Sequence, residues 1–289
     1  MTNLRKDIIL ANNKKERSFI LSFCFFTATG GLGLGKFDGI VILSDLDGTL
    51  LNQKKLHPRQ LAAVDYFVEN GGLFCPATGR AENFLLGNYP DLPLKSYCIV
   101  KNGTAIYDAV TQSLIWSCPL QPAVLERAAE IFRRFEHVTR VNFHLQNDMF
   151  GVRRDEPGAV EKILSLQDTV FKAVFAVDDG SAAEIAACYR DHTDFQYTYS
   201  ADFLMEILPL GAGKGVCAQK IRALLGERAR CLIGIGDYAN DISLLQAVDI
   251  GVAVESDCKE LRDYARWIAP PIAEHPVAWL IDKIEKELC

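Results

Sequence analysis

Apolar residues recur along this chain in two rhythms. Short runs without a charged or amide side chain, rich in aliphatic and β-branched residues, occupy 40–43, 73–77, 97–100, 231–235 and 250–254. Between them lie longer stretches with apolar positions three and four apart, at 61–68, from about 81, and at 216–225, 242–247, 259–265 and 277–288. Continuous runs predict strands buried on both faces, and the longer period predicts amphipathic helices. Pro58 near the first helix start and Gly71-Gly72 after it punctuate that helix as expected. Strand and helix alternate on both flanks, which predicts an α/β fold: a Rossmann-like, doubly wound, mostly parallel sheet with helices on both faces.

The texture changes between 119 and 208. There the pattern predicts a helix over 122–135, strands at 141–145 and 171–177, helices over 157–166 and 182–189, and strands at 195–199 and 203–208. None of these strands ends in an acidic cluster, so the stretch reads as an α+β unit inserted into the first domain. The expected organisation is an extension over 1–36, a core from 37–118 and 209–289, and an inserted cap over 119–208. In the extension, Lys14, Lys15 and Arg17 precede an apolar stretch at 19–26 that resembles a secretory signal. It is too short to span a bilayer and no A-x-A cleavage pattern follows. The glycines between Gly30 and Gly35 precede a strand, so they do not form a dinucleotide loop.

Composition narrows the class. Across 289 residues, 49% are hydrophobic and 24% charged, as in ordinary globular proteins. A net charge of −6 with no Lys/Arg-rich face argues against nucleic acid, and no membrane partner is expected. The nine cysteines are dispersed without a CxxC pair, which suits reduced thiols in a cytoplasmic protein. A monomer or small homo-oligomer is expected.

The chemistry concentrates at strand ends. Run 40–43 closes in Ser44-Asp45-Leu46-Asp47-Gly48-Thr49-Leu50. Carboxylates this close repel by about 4 kcal/mol at 4 Å and an effective dielectric near 20. Such a pair implies a cation, a shared proton or wide solvent exposure. Run 73–77 ends in Thr78-Gly79-Arg80, where a hydroxyl and backbone amides could hold an anion. Run 97–100 leads into Lys101-Asn102-Gly103, equally a hairpin turn or a substrate contact. Lys214 sits between glycines without the spacing of a P-loop. Run 231–235 ends in Gly236-Asp237-Tyr238-Ala239-Asn240-Asp241. In the inserted unit, Asn142, His144, Asn147 and Arg153 are candidates to face a substrate.

Taken together, DLDGT at Asp45 to Thr49, Thr78 in ATGR, Lys214 in GKG and GDYAND at Gly236 to Asp241 resemble the four ordered motifs of the haloacid dehalogenase superfamily. The size and place of the insertion resemble the large cap of Cof-type, sugar-phosphatase-like members. The resemblance implies Asp45 as the nucleophile that forms an aspartyl-phosphate, and Asp47 as general acid and base. It implies Thr78 and Lys214 as holders of the phosphoryl group, with Gly79, Arg80 and Asn102 as further phosphate or substrate contacts. It also implies Mg²⁺, held by Asp45, the Asp47 carbonyl and Asp237, with Asn240 and Asp241 supporting them. Asp47 is informative, because the dehalogenases of the superfamily lack an acid two residues after the nucleophile. The expected activity is therefore hydrolysis of small phosphorylated metabolites, sugar phosphates foremost. Alternatives are a phosphomutase of the same architecture and a binding or regulatory protein that keeps the scaffold.

Overall fold

Strand β1 (Ile40–Ser44) has no polar side, and its residues feed two separate cores in alternation. Ile40 and Ile42 pack into one, Val41 and Leu43 into the other. That alternation is what a strand buried on both faces requires. The computed structural model describes residues 35–289, so the signal-like stretch lies outside the described residues, together with all but the last glycine of the Gly30 to Gly35 run.

Following β1 come a short hairpin, β2 (Leu51–Asn52) and β3 (Lys55–Leu56), helix α1 (Pro58–Glu69), β4 (Leu73–Pro76) and α2 (Glu82–Asn88). Next are β5 (Tyr97–Val100), β6 (Ala105–Asp108) and β7 (Ser113–Ser117). The inserted region holds α3 (Val124–Arg134), β8 (Val138–His144), β9 (Met149–Arg153), α4 (Ala159–Leu164), β10 (Lys172–Val177), α5 (Ala182–Cys188), β11 (Phe195–Ala201) and β12 (Leu204–Pro209). The chain returns through α6 (Lys214–Leu225), β13 (Cys231–Gly236), α7 (Ile242–Ala247), β14 (Ile250–Val254), β15 (Trp267–Ala269) and α8 (Pro276–Glu287).

The main sheet runs β15-β14-β13-β1-β4 and every pairing in it is parallel. Residues of α1 and α8, among them Val64, Phe67, Leu280 and Ile284, pack on one face. Residues of α6 and α7, among them Ile221 and Leu244, pack on the other. The doubly wound α/β core with an inserted α+β sheet is as expected. The second sheet is antiparallel, in the order β11-β12-β10-β8-β9, and has its own apolar core.

The run 97–100 forms the expected strand, β5, which pairs antiparallel in the unit β5-β6-β7 and is joined to the main sheet by a parallel bridge between Ala77 and Ile99. Other local expectations are corrected. The stretch 259–265 forms a 3₁₀ turn over Lys259–Tyr264 in place of an α-helix. Strands β6, β7, β9 and β15 and the hairpin β2-β3 went unanticipated. Strand β7 alternates exposed and half-buried residues throughout, so it carries no run of core residues for a sequence to reveal.

Gln60 ties the β1 loop to the end of the chain. Its buried amide donates to the carbonyls of Thr49 and Leu50 at 3.1 and 3.0 Å and accepts from the amides of Val277 and Ala278 at 3.0 and 3.1 Å. Gln60→Ala would strand all four backbone groups, and the expected loss is roughly 2–4 kcal/mol in urea unfolding. A change under about 0.5 kcal/mol would show that water or local relaxation replaces these bonds.

Candidate active site

The site forms because β1, β4 and β13 are parallel neighbours and present their carboxyl ends together, where ligands of such sheets bind. Asp45 follows β1, its amide donating to the Ile235 carbonyl at 2.9 Å, and it is buried. Asp237 follows β13 and is half-buried. Asp241, fully buried, turns back on the same loop and accepts from the amides of Asp237 and Tyr238 at 3.1 and 3.3 Å. Lys214, at the start of α6, donates to Asp45 Oδ1 at 2.6 Å and to Asp241 Oδ1 at 2.5 Å.

Two glycines make this crowding possible. Gly48 has φ +89°, and a Cβ there would stand 2.1 Å from Asp237 Oδ2. At Gly236 a Cβ would stand 2.3 Å from Asp241 Cγ. Either substitution would push a carboxylate out of the cluster, and at Gly48 the backbone would also be strained. Thr49 Oγ1 donates to Asp237 Oδ1 at 3.0 Å and Ser256 Oγ donates to the Asp237 carbonyl at 2.6 Å, fixing that residue from two further loops.

The electrostatics are unbalanced. Burial, only partly offset by Lys214, raises the Asp45 carboxyl to about 7, with Asp241 and Asp47 adding repulsion. Asp237 is pushed well above the usual carboxylate range, by burial first and then by Asp45 and Asp241. Lys214 is held above the ordinary lysine range because the attraction of its two aspartates outweighs its own burial. One ammonium therefore serves three acids, and the cluster favours additional positive charge. One carboxylate oxygen from each of Asp45, Asp237 and Asp241 lies within 4.8 Å of the others. An all-oxygen donor set of this kind fits a hard cation such as Mg²⁺.

The other expected residues surround this cluster in different ways. Thr78 is buried, and its hydroxyl accepts from the Arg80 amide at 3.1 Å. Arg80 grips Asp47 with both arms of its guanidinium, Nε to Oδ2 at 2.6 Å and Nη2 to Oδ1 at 2.7 Å, and lies over the Phe84 ring. The Asp47 carboxylate thus stands outside the three-acid cluster, about half exposed. Asn240 donates to Asn102 Oδ1 at 3.2 Å. With φ +61°, Asn102 connects the antiparallel pair β5 and β6, as the turn reading expects, and its buried amide donates to Glu206 Oε2 at 3.1 Å.

In the inserted sheet, His144 and Asn142 share the face turned away from the cap's apolar core, as the β8–β10 register places them opposite Lys172 and Val174. Asn147 is exposed in the β8–β9 loop, and Arg153 pairs with Asp155 at the surface. Sequence reasoning passed over Lys172 and Glu206 on this face. The available signal was a charge inside each of two apolar strands. A cavity of about 560 Å³ also lies between the inserted region and the core, bounded by Asn102, Lys214, Asn240, Tyr197, Tyr199 and His192. Neither Asp45 nor Asp47 lines it.

A doubly wound α/β core thus carries, at its strand ends, a cluster of acids that could hold a metal ion, and an α+β unit is inserted in it. The comparisons with known proteins agree. The model of the haloacid dehalogenase-like hydrolases matches residues 42–281, and the chain belongs to that family. It is 22% identical over 281 residues to a 5-amino-6-(5-phospho-D-ribitylamino)uracil phosphatase of Bacillus subtilis, covering 84% of this chain and 97% of the relative. It is 25% identical over 236 residues to a pyridoxal phosphate phosphatase of Escherichia coli, covering 74% and 87%. A solved haloacid dehalogenase-like hydrolase from Bacteroides thetaiotaomicron superposes with a TM-score of 0.68 at 20% identity, covering 84% and 98%. Among the described residues no helix is long and apolar enough to cross a membrane.

Proposed function

We propose that this chain is a Mg²⁺-dependent phosphatase that hydrolyses small phosphorylated metabolites, sugar phosphates foremost, in the cytoplasm, with residues 119–208 serving as a cap. Hydrolysis of phosphoric monoesters follows from family membership and from the phosphatases among its relatives. The observation that carries the finer reading is the buried Asp45, bonded to Lys214 at 2.6 Å and grouped with Asp237 and Asp241. A binding module gains nothing from burying such a carboxylate, whereas a nucleophile needs shielding from water and a fixed aim.

In the proposed reaction an Asp45 oxygen attacks phosphorus and the bond to the leaving oxygen breaks, with Asp47 giving that oxygen its proton. The Arg80 fork holds Asp47 as a carboxylate in the resting site, so Asp47 leaves this pair and takes up a proton from solvent before it acts as the acid. Thr78 Oγ and Lys214 Nζ bind the phosphoryl oxygens, since this transfer depends on positioning and charge stabilisation. Asp47 then takes a proton from water, which attacks the phosphorus of the aspartyl-phosphate, releasing inorganic phosphate and restoring Asp45. Bound to Asp45, Asp237 and Asp241, with Asn240 close by, Mg²⁺ would supply charge compensation for the phosphoryl group and the acids.

The test is phosphate release from a panel of phosphorylated sugars, nucleotides and cofactors, with Mg²⁺ and with chelator. Turnover of at least one sugar phosphate that disappears in chelator is expected; full activity in chelator would sink the metal requirement.

A second result follows from the weakened acidity of these carboxyls. A carboxyl lifted from its ordinary value to about 7 binds protons in the folded state that the unfolded chain has released. The stability this contributes is complete below the ordinary carboxylate range and is lost as pH rises through about 7. In chelator, the melting temperature should therefore fall as pH rises from about 4 to about 7, and Mg²⁺ should reverse the fall because it binds the ionised acids. Calorimetric melts that are flat with pH in chelator would contradict this.

A further inference from the structure

A second buried ionic cluster joins the cap sheet to the site. Lys172 opens β10 and Glu206 lies within β12, both on the sheet face opposite Ala173, Phe175, Met205 and Ile207, which fill the cap's core. Lys172 Nζ donates to Glu206 Oε2 at 2.9 Å, with the side chains only 4% and 2% exposed. Burying such a pair costs several kcal/mol per ion before their attraction is counted, and an apolar pair of similar size often serves stability as well. The charges therefore call for a role beyond holding the cap together.

The two partners are not equally satisfied. Glu206 is bonded by Lys172, by Asn102 and by Ser200, and these hold it below the usual carboxylate range despite its burial. Lys172 has three N–H donors. Among the described residues the bond given for its ammonium is the one to Glu206. The nitrogen stands 3.3 Å from the point where a Cβ on Gly79 would lie, and among the described residues no atom beyond Gly79 and its two chain neighbours otherwise approaches that point within 4 Å. Gly79 follows Thr78 in the turn assigned above to the phosphoryl group. The remaining donors are thus seated over the phosphate loop, and the absence of a side chain at residue 79 leaves them room.

We infer that Lys172 is a cap-borne ligand of the substrate's phosphoryl oxygens, with Glu206 as the positioning residue that holds it over Gly79. The inference rests on the phosphatase reading and adds to it a contact from the inserted sheet. Glu206 is in turn anchored to the core: Asn102 donates to it, and Asn240 donates to Asn102 from the loop that carries Asp237 and Asp241. The chain of bonds from Lys172 to Asn240 therefore spans cap and core. With the site empty, Glu206 balances the ammonium. When a phosphoryl dianion arrives, Lys172 shares its donors between Glu206 and the anion and adds a second ammonium to that of Lys214. His144 lies opposite Lys172 in the register, but burial and the nearby lysines lower its basicity to about 3, so it stays neutral and adds no charge.

Removing Lys172 alone leaves Glu206 buried without its cation, so two variants are compared: Lys172→Gln, and Lys172→Gln combined with Glu206→Gln, which removes both charges and preserves size. If one melts early, the other carries the test. Inorganic phosphate binding is measured by calorimetry, and kcat/KM with p-nitrophenyl phosphate and with a hexose phosphate. Loss of a charge-assisted contact predicts phosphate binding weakened about tenfold or more and kcat/KM lowered for both substrates by roughly 10- to 1,000-fold. Lys172→Arg should recover part of the loss. Unchanged phosphate affinity would overturn the inference, as would a loss confined to the hexose phosphate, which would place Lys172 on the leaving group. A wild-type protein that binds phosphate through Lys172 yet hydrolyses nothing would overturn the phosphatase reading and leave this contact standing.

Discussion

Asp45→Asn is expected to fold at least as well as the parent and to lose turnover by about 10⁴-fold or more. The amide has the shape of the carboxylate and keeps an oxygen to accept from Lys214 Nζ, a bond of 2.6 Å in the parent. It also removes one of three crowded acids, the one that burial and Asp241 already push up to about 7. Stability should hold or rise while the nucleophile is lost. Parallel urea unfolding and phosphate-release assays decide the matter. Turnover within tenfold of the parent would remove Asp45 from the role of nucleophile, and a large fall in stability would mean that the charge itself holds the site together.

Lys214→Met probes the same contact from the other side, and the expected effect on stability has the opposite sign. Met fills much of the same volume but leaves Asp45 and Asp241 without the ammonium now 2.6 and 2.5 Å away. Breaking a buried pair by removing one partner costs about 3–5 kcal/mol. Loss of a preorganised cation at the phosphoryl group is worth a further 10²- to 10³-fold or so in kcat. Added Mg²⁺ should return part of the stability, since it would compensate the same acids. An unchanged unfolding midpoint would show that Lys214 is not the main compensation of these acids.

The pairing of these outcomes separates the two kinds of burial in the site. A nucleophile is held against its electrostatic preference, so neutralising it relieves the fold. Its lysine is held with that preference, so neutralising it exposes the strain. This opposition explains why the loop after β1 is braced from several sides, by Gln60 on the Thr49 and Leu50 carbonyls and by Thr49 on Asp237.

The α/β class, the parallel core and the four clustered motifs were legible in the chain because each rests on a local signal. An unbroken apolar run such as 40–43 can be hidden only inside a sheet covered on both faces, and an acid or glycine at its end marks where the sheet stops. Strand β14 and helix α7 coincide with the expected 250–254 and 242–247 for the same reason. Strand β7, half exposed along its length, and the 3₁₀ turn at Lys259–Tyr264 carry no such period, and their conformations are set by neighbours distant in sequence.

What only the tertiary structure decided is which charges meet. Sequence order alone placed Asp45 near a strand end and left a cation, a shared proton and exposure all open. The fold brought Lys214 and Asp241 to it across separations of 169 and more residues, turned Arg80 onto Asp47, and set Lys172 of the inserted sheet over Gly79. Hydrophobic period is a property of neighbours along the chain and survives in one dimension. Electrostatic partnership depends on distance through space and on the water excluded there, and it exists only once the sheet and its cap are assembled.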